Sequence, residues 1–371
     1  MISRLYFFWA RDAAQGNKDG IFLRTEGVSP IVHNRSVSVG RGQYTAFGLR
    51  IASELKLPEL VLSASGAAED VIIRQADLTA WSDQLEQTNY VIQGECFMLQ
   101  IPGTAIFAIR EGREIEVCPY PGADMNTVRL FLLGSCMGVL LMQRRIFPIH
   151  GSAVVIGGKA YAFVGESGAG KSTLAAAFRQ AGYPMVSDDV IAVKATASEP
   201  IVYPAYPQQK LGLDSLLQLE SLQGNKHVRS QKHRLVLTSG HPVLSQHGEL
   251  LKLTGEWNKY AVPTVDEFYN EPLSLGGVFE LVAEPSSQLP AVTEQPLNVL
   301  GCLHTLLLHT YRRGTISRMG LGEWYFGTAA RMARKVEGWR LLRSSSAFTA
   351  SEIVQRVLEL IHKEENSYGS H

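Results

Sequence analysis

Gly165-Glu166-Ser167-Gly168-Ala169-Gly170-Lys171-Ser172 fulfils the pattern GxxxxGK[ST], and its flanks put it where a phosphate-binding loop belongs. Ala160–Val164 before it reads as a strand. Thr173 to about Gln180 after it is alanine-rich and helical, with stop signals near Gly182 and Pro184. The glycines let backbone N–H groups turn inward on phosphate oxygens, and the following helix N-terminus adds positive potential. Lys171 is suited to neutralising β and γ oxygens, and Ser172 to holding magnesium. The eight motif residues and Thr173 are therefore the expected contacts to ATP or a similar triphosphate with Mg2+. A glycine-rich turn that merely joins strand to helix is the alternative, and it leaves the full motif and its flanks unexplained.

Working outward, Ala153–Ile156 and Ala160–Val164 read as a hairpin through Gly157-Gly158 that feeds the loop. His150-Gly151 lies just before that hairpin. A lone histidine commonly serves structure, and the residues alone leave its role open. Downstream, Val186–Val193 reads as a strand beginning with Asp188-Asp189. Adjacent residues of a strand face opposite sides, so one carboxylate is expected to face the triphosphate and the other the core or a neighbour. An acid facing a magnesium nucleotide can hold the metal or take a proton from an attacking hydroxyl; a turn or cap acid is the plainer alternative.

The chain has 371 residues, of which 45% are hydrophobic, enough for two domains with their own cores. Residues 1–120 show short strand-like runs (Gly20–Arg24, Ser36–Val39, Tyr44–Ile51, Val71–Arg74, Tyr90–Ile92 and Thr104–Ile109) and read as a strand-rich N-terminal domain. After the turn Pro119-Tyr120-Pro121-Gly122, Asp124 is a candidate N-cap for a helix to about Arg144, and 121–371 reads as the P-loop domain. Further helices are expected over 214–222, 297–312, 327–336 and 350–364, and a strand over Leu273–Leu281.

Charge balances at 35 basic and 35 acidic residues, which gives no overall attraction to nucleic acid or anionic membrane. Cys96, Cys118, Cys136 and Cys302 form no CxxC pair, so neither zinc nor a disulfide framework is expected, and a reduced cytoplasm fits. The apolar run Leu5–Ala10 is closed by Arg11 and Asp12, too short for a signal-peptide core. Leu130–Met142 is expected to be a buried helix, short of a membrane span.

His150-Gly151, the P-loop, Gly182 and Asp188-Asp189 together resemble the kinase domain of HPr kinase/phosphorylase. The resemblance implies an α/β fold of that type, a mixed sheet flanked by helices. It implies that Asp189 accepts the proton of a substrate serine with His150 as helper, that Lys171 binds phosphate, and that Ser172 holds magnesium with Asp188 on the metal side. The family's magnesium-binding Glu beside an Arg-Gly step has no counterpart in Tyr206–Asp214, where Gln209 or Asp214 substitutes or the contact is lost. That departure bears on phosphorolysis.

The stretches Tyr44–Glu54, Leu57–Leu60, Tyr203–Leu211 and Leu273–Leu281 are similar to HPr-kinase-like proteins of peptide-modification clusters, in which lasso-peptide precursor kinases phosphorylate a C-terminal serine. The implied partner is a precursor peptide carrying the acceptor serine. Lys210, Lys226–Arg234 and Arg312-Arg313 are candidate cations for its carboxylate or for phosphate. An HPr-type kinase/phosphorylase, a P-loop ATPase and a small-molecule kinase are the alternatives. The family's hexamers leave a homo-oligomer open.

Overall fold

The computed structural model describes residues 41–64, 66, 68–223, 235–238, 241–244, 248–253, 259–284, 292–344 and 348–368. The runs Leu5–Ala10, Gly20–Arg24, Ser36–Val39 and Asn225–Arg234 lie outside them. Contacts group the chain into two compact units, one up to Arg144 with Arg312–Gly322, the other Arg145–Tyr311 with Glu323 onward.

The first unit is built on β1 (Gly42–Ala46), β2 (Leu49–Ser53), β3 (Val61–Leu62), β4 (Val71–Gln75), helix α1 (Ser82–Thr88), β5 (Tyr90–Gln93), β6 (Cys96–Ile101), β7 (Ala105–Arg110) and β8 (Glu114–Pro119). They form one sheet in the order β3-β1-β2-β4-β8-β7-β6-β5. The run Tyr44–Ile51, expected as a single strand, is instead two. Phe47 and Gly48 take φ of 57° and 71°, and two consecutive left-handed residues make the tight hairpin that pairs β1 with β2.

Helix α2 (Met125–Gln143) follows. Asp124 caps it as its position suggested, its carboxylate accepting from the backbone N–H of Asn126 and Thr127, both at 3.1 Å. A π-turn over Leu132–Cys136 surrounds Gly134. The apolar run inside it looked too short to span a bilayer, yet the helix reaches 19 residues and is long and apolar enough by length and composition. Leu132, Leu133, Met137, Leu140, Leu141 and Met142 are buried, the pattern of a core helix.

The second unit continues with β9 (Phe147–Ile156), β10 (Lys159–Gly165), α3 (Lys171–Gln180), β11 (Met185–Ala195), β12 (Pro200–Tyr203), β13 (Gln208–Gly212) and α4 (Leu213–Gln223). Then come β14 (Leu235–Thr238), β15 (His241–Leu244), β16 (Gly248–Glu249), β17 (Leu251–Lys252), β18 (Lys259–Pro263), β19 (Leu273–Glu284) and β20 (Val292–Leu297). Helices α5 (Val299–Leu308) and α6 (Gly322–Ala333), strand β21 (Glu337–Ser344) and α7 (Ala350–Tyr368) close the chain.

The principal sheet runs β10-β9-β11-β12-β19-β21-β20, and β10 also pairs with β19. Leu273 and Ser274 of β19 pair with β12 while Leu275–Leu281 pair with β10, so the sheet curls back on itself. It is mixed: β9 is antiparallel to β10, and β19 is parallel to it. Alternation along β10 sends Tyr161 and Phe163 to one face with α3, α4 and α7, and Ala160, Ala162 and Val164 to the other with α5 and α6. The second unit is thus an α/β layer structure with helices on both faces of a mixed sheet. Phe163 ties the P-loop strand to its helix, its ring stacking 5.1 Å from Phe178 and 5.6 Å from Phe279.

Candidate functional site

The β9–β10 hairpin turns through Gly157 and Gly158 with φ of 55° and 76°, the left-handed pair that a two-residue loop of this hand needs. It delivers Gly165 at the end of β10 with φ 149°, where an added Cβ would lie 2.5 Å from the backbone oxygen of Leu281. Only glycine fits between the two parallel strands there. Gly168 and Gly170 also take positive φ, of 85° and 98°, and α3 starts at Lys171. The motif residues therefore form a strand–loop–helix turn of the kind whose N–H groups can face an anion.

Lys171 is buried and donates through Nζ to the carbonyls of Gly165 at 2.9 Å and Glu166 at 3.0 Å. Burial pushes its pKa down and Lys259 adds to this, against Asp189, Asp188 and Glu166, which favour the charged form. Behind the loop, Gln209 is fully buried. It donates from Nε2 to the Ser172 carbonyl at 2.8 Å and accepts from Arg179 Nε at 3.2 Å. Arg179 pairs with Glu267 as well. The Thr173 hydroxyl lies 2.8 Å from that of Ser215. Gln209, one of the two replacements considered for the family's metal-binding Glu, thus has both ends of its amide engaged, and Asp214 is exposed in the first turn of α4.

Across β9, strand β11 pairs Asp188 with Ser152, Asp189 with Gly151 and Val190 with His150. The close approach of β9 to β10 requires the glycine after His150, because a Cβ on Gly151 would lie 2.4 Å from the backbone oxygen of Phe163. Asp188 Oδ1 accepts from the Ser152 hydroxyl at 2.6 Å and Oδ2 from the Lys210 N–H at 2.9 Å.

Asp189 has φ 74°, a left-handed backbone that interrupts the strict alternation expected of the pair. Its Oδ2 lies 2.7 Å from Lys210 Nζ, and its Oδ1 is 3.5 Å from His150 Nδ1, which is also 3.1 Å from the Asp189 carbonyl. Both aspartates therefore meet one residue, Lys210, through its backbone and its ammonium respectively, instead of parting to unrelated surroundings. Burial pushes the Asp189 carboxyl up, but Lys210, His150 and Lys259 outweigh it and hold the group well below the usual carboxylate range.

His150 is positioned from the opposite side. Its N–H donates to the His309 carbonyl at 2.7 Å, and its ring lies 5.6 Å from that of Tyr311. His309 is in turn fixed by Glu280, with Nε2 3.0 Å from Oε1, while Arg340 donates to Oε2 at 2.8 Å. The hydrogen bond with His309, opposed by burial and reinforced by Arg340, brings the Glu280 pKa down to about 2.

The structure brings Asp188, Asp189, His150 and Lys210 together and sets the P-loop as a turn between β10 and α3. Lys171 feels the charge of both aspartates. Arg312 donates to Ser135 within the first unit, and Lys226–Arg234 lies outside the described residues. Ser152, Arg179 and Arg343 were not singled out by the sequence, which gives no local signal for them. Among the described residues no three His, Cys, Asp or Glu side chains gather as a metal-ligand set. Ser172 and Asp188 carry oxygens of the hard type that Mg2+ favours, and both Asp188 oxygens already accept hydrogen bonds from Ser152 and Lys210.

No family model and no curated protein matches the chain. Among solved structures it is similar to the Hpr(Ser) kinase/phosphatase from Coxiella burnetii, at 12% identity and a TM-score of 0.28 over 59% of this chain and 98% of that one. The α/β architecture stands on the strand order itself.

Proposed function

We propose that the chain is an ATP-dependent kinase that transfers the γ-phosphoryl group to the serine of a peptide, the C-terminal serine of a lasso-peptide precursor being the favoured acceptor. The observation that carries this reading is the Asp189 carboxylate, set 2.7 Å from Lys210 Nζ and 3.5 Å from His150 Nδ1, close enough to the loop for its charge to be felt by Lys171. The loop N–H groups and Lys171 would take the β and γ phosphates. Ser172 and Asp188 would hold magnesium, whose charge offsets that of the phosphates. In the transfer the bond from γ-phosphorus to the bridging oxygen of ADP breaks, a bond to serine Oγ forms, and the hydroxyl proton passes to Asp189.

A depressed pKa suits this role. In a loose phosphoryl transfer the hydroxyl loses its proton late, and the base mainly orients the nucleophile while ionised. His150, 3.5 Å from Oδ1, would steady that carboxylate. The test is Asp189→Asn: nucleotide affinity should stay within a few fold while transfer falls by roughly 10²–10⁴. Retained transfer would remove Asp189 as proton acceptor, and loss of nucleotide binding with transfer would point to a structural role.

A further inference from the structure

Strand β21 brings to the phosphate loop a residue that no motif announces. Arg343 Nε donates to the Ala169 carbonyl at 3.0 Å, Nη2 lies 3.5 Å from the Gly168 carbonyl, and Nη1 donates to the Ser344 carbonyl at 3.1 Å. The guanidinium fills the space beside Gly170, where an added Cβ would lie 3.6 Å from Nη2. β21 is fixed by parallel pairing to β19, Ala283 opposite Arg343, and β19 is itself paired to the P-loop strand up to Gly165. The arginine therefore reaches the loop from the same rigid sheet that presents the loop.

In a trans peptide the C=O and N–H point in opposite directions. Fixing the Ala169 carbonyl on Arg343 therefore aims the Gly170 N–H away from the guanidinium. The Ala169 N–H is already used within the loop, donating to the Glu166 carbonyl at 3.1 Å. The half-buried guanidinium is spent on carbonyls, and burial holds its pKa down. A planar fork can hold two carbonyls at once where an ammonium offers a point charge.

We propose that Arg343 is a positioning residue of the phosphate loop, clamping the Gly168 and Ala169 carbonyls outward so that the loop's N–H groups are set for a polyphosphate. This rests on the loop binding a nucleoside triphosphate. It predicts that affinity depends on Arg343 in proportion to the phosphates carried by the ligand.

The experiment measures binding of MgATP, ADP and adenosine to the full chain and to Arg343→Ala and Arg343→Lys, with thermal unfolding of each as the folding control. Expected is a loss of about 10- to 100-fold for MgATP in Arg343→Ala, the range of a charged hydrogen bond. A smaller loss is expected for ADP, and an unchanged affinity for any adenosine binding. Arg343→Lys should recover part of the loss. Wild-type affinity for MgATP in both variants, or an equal loss for adenosine, overturns the clamp alone. Failure of the unaltered chain to bind MgATP overturns the phosphate-loop reading and the clamp with it. If Arg343→Ala unfolds, Arg343→Lys still decides, because it keeps the charge and loses the fork.

Discussion

Lys210 Nζ lies 2.7 Å from Asp189 Oδ2, with side chains only 13% and 15% exposed, and the backbone N–H of the same lysine holds Asp188. One residue of β13 thus fixes both aspartates of β11. A buried ion pair is costly to break from one side, because the surviving charge is left without water or partner.

Replacing Lys210 by Met should destabilise the chain by up to about 3–5 kcal/mol, lessened by His150 and Lys259, which still face the carboxylate. The sharper effect is on acidity. Lys210 is the foremost influence opposing burial at Asp189, so its removal raises that pKa. The acid limb of the rate profile should then move to higher pH, since the carboxylate must be ionised to work. An acid limb at the same pH in Lys210→Met and the unaltered enzyme would contradict this.

Glu280 carries a separate, structural prediction. Its pKa is depressed from 4.5 to about 2 in the folded chain, mainly by His309 and against burial. A depressed acid stabilises above its unfolded pKa and loses that contribution as pH falls through its folded one. The window here is therefore about pH 4.5 to 2, and the stake is on the order of 3 kcal/mol. Urea unfolding across that range should show Glu280→Gln less stable at neutral pH and with a flatter acid decline. An unchanged decline would show that the pair is not linked to folding.

Gly151→Ala tests the close approach that positions the neighbours of the aspartates. The new methyl would meet the Phe163 backbone oxygen at 2.4 Å, and because that nearest obstacle is backbone it cannot swing aside as the Ile191 Cδ1 at 3.2 Å can. β9 must shift away from β10, at a cost of about 1–3 kcal/mol, and carries His150 and Ser152 with it. Thermal unfolding should fall and phosphotransfer should fall further than stability alone explains. A variant as stable and as active as the parent would refute the packing argument.

What the sequence made legible was local. The P-loop, its helix and the Gly157-Gly158 hairpin depend on residues close together in the chain, and the Asp124 cap on the four positions 124–127. The layered α/β class came from the resemblance that His150-Gly151, the P-loop and Asp188-Asp189 carry together, and the mixed sheet with helices on both faces agrees with it. Two readings failed where backbone sign changes were hidden in ordinary residues. Phe47 splits an apparently continuous strand, and Asp189 bends the alternation expected of adjacent acids.

Apart from His150 and Asp189, which the resemblance puts together, long-range partners were not legible. Arg343 is 174 residues from the Ala169 carbonyl it holds, and Gln209 is 37 from the Ser172 carbonyl. Gln208–Gly212 pairs with Lys259–Pro263, and that pairing brings Lys210 to the aspartates. Strand pairing between distant segments, which no local pattern records, completes the candidate site.

The central claim is transfer of phosphate to a serine hydroxyl. The most direct measurement is the mass of a lasso-type precursor peptide after incubation with the chain and MgATP, beside the same peptide lacking its terminal serine. One added phosphate is expected on the first peptide and none on the second, with Asp189→Asn transferring to neither. Phosphate added regardless of that serine, or ATP consumed with phosphate released only to water, would contradict it.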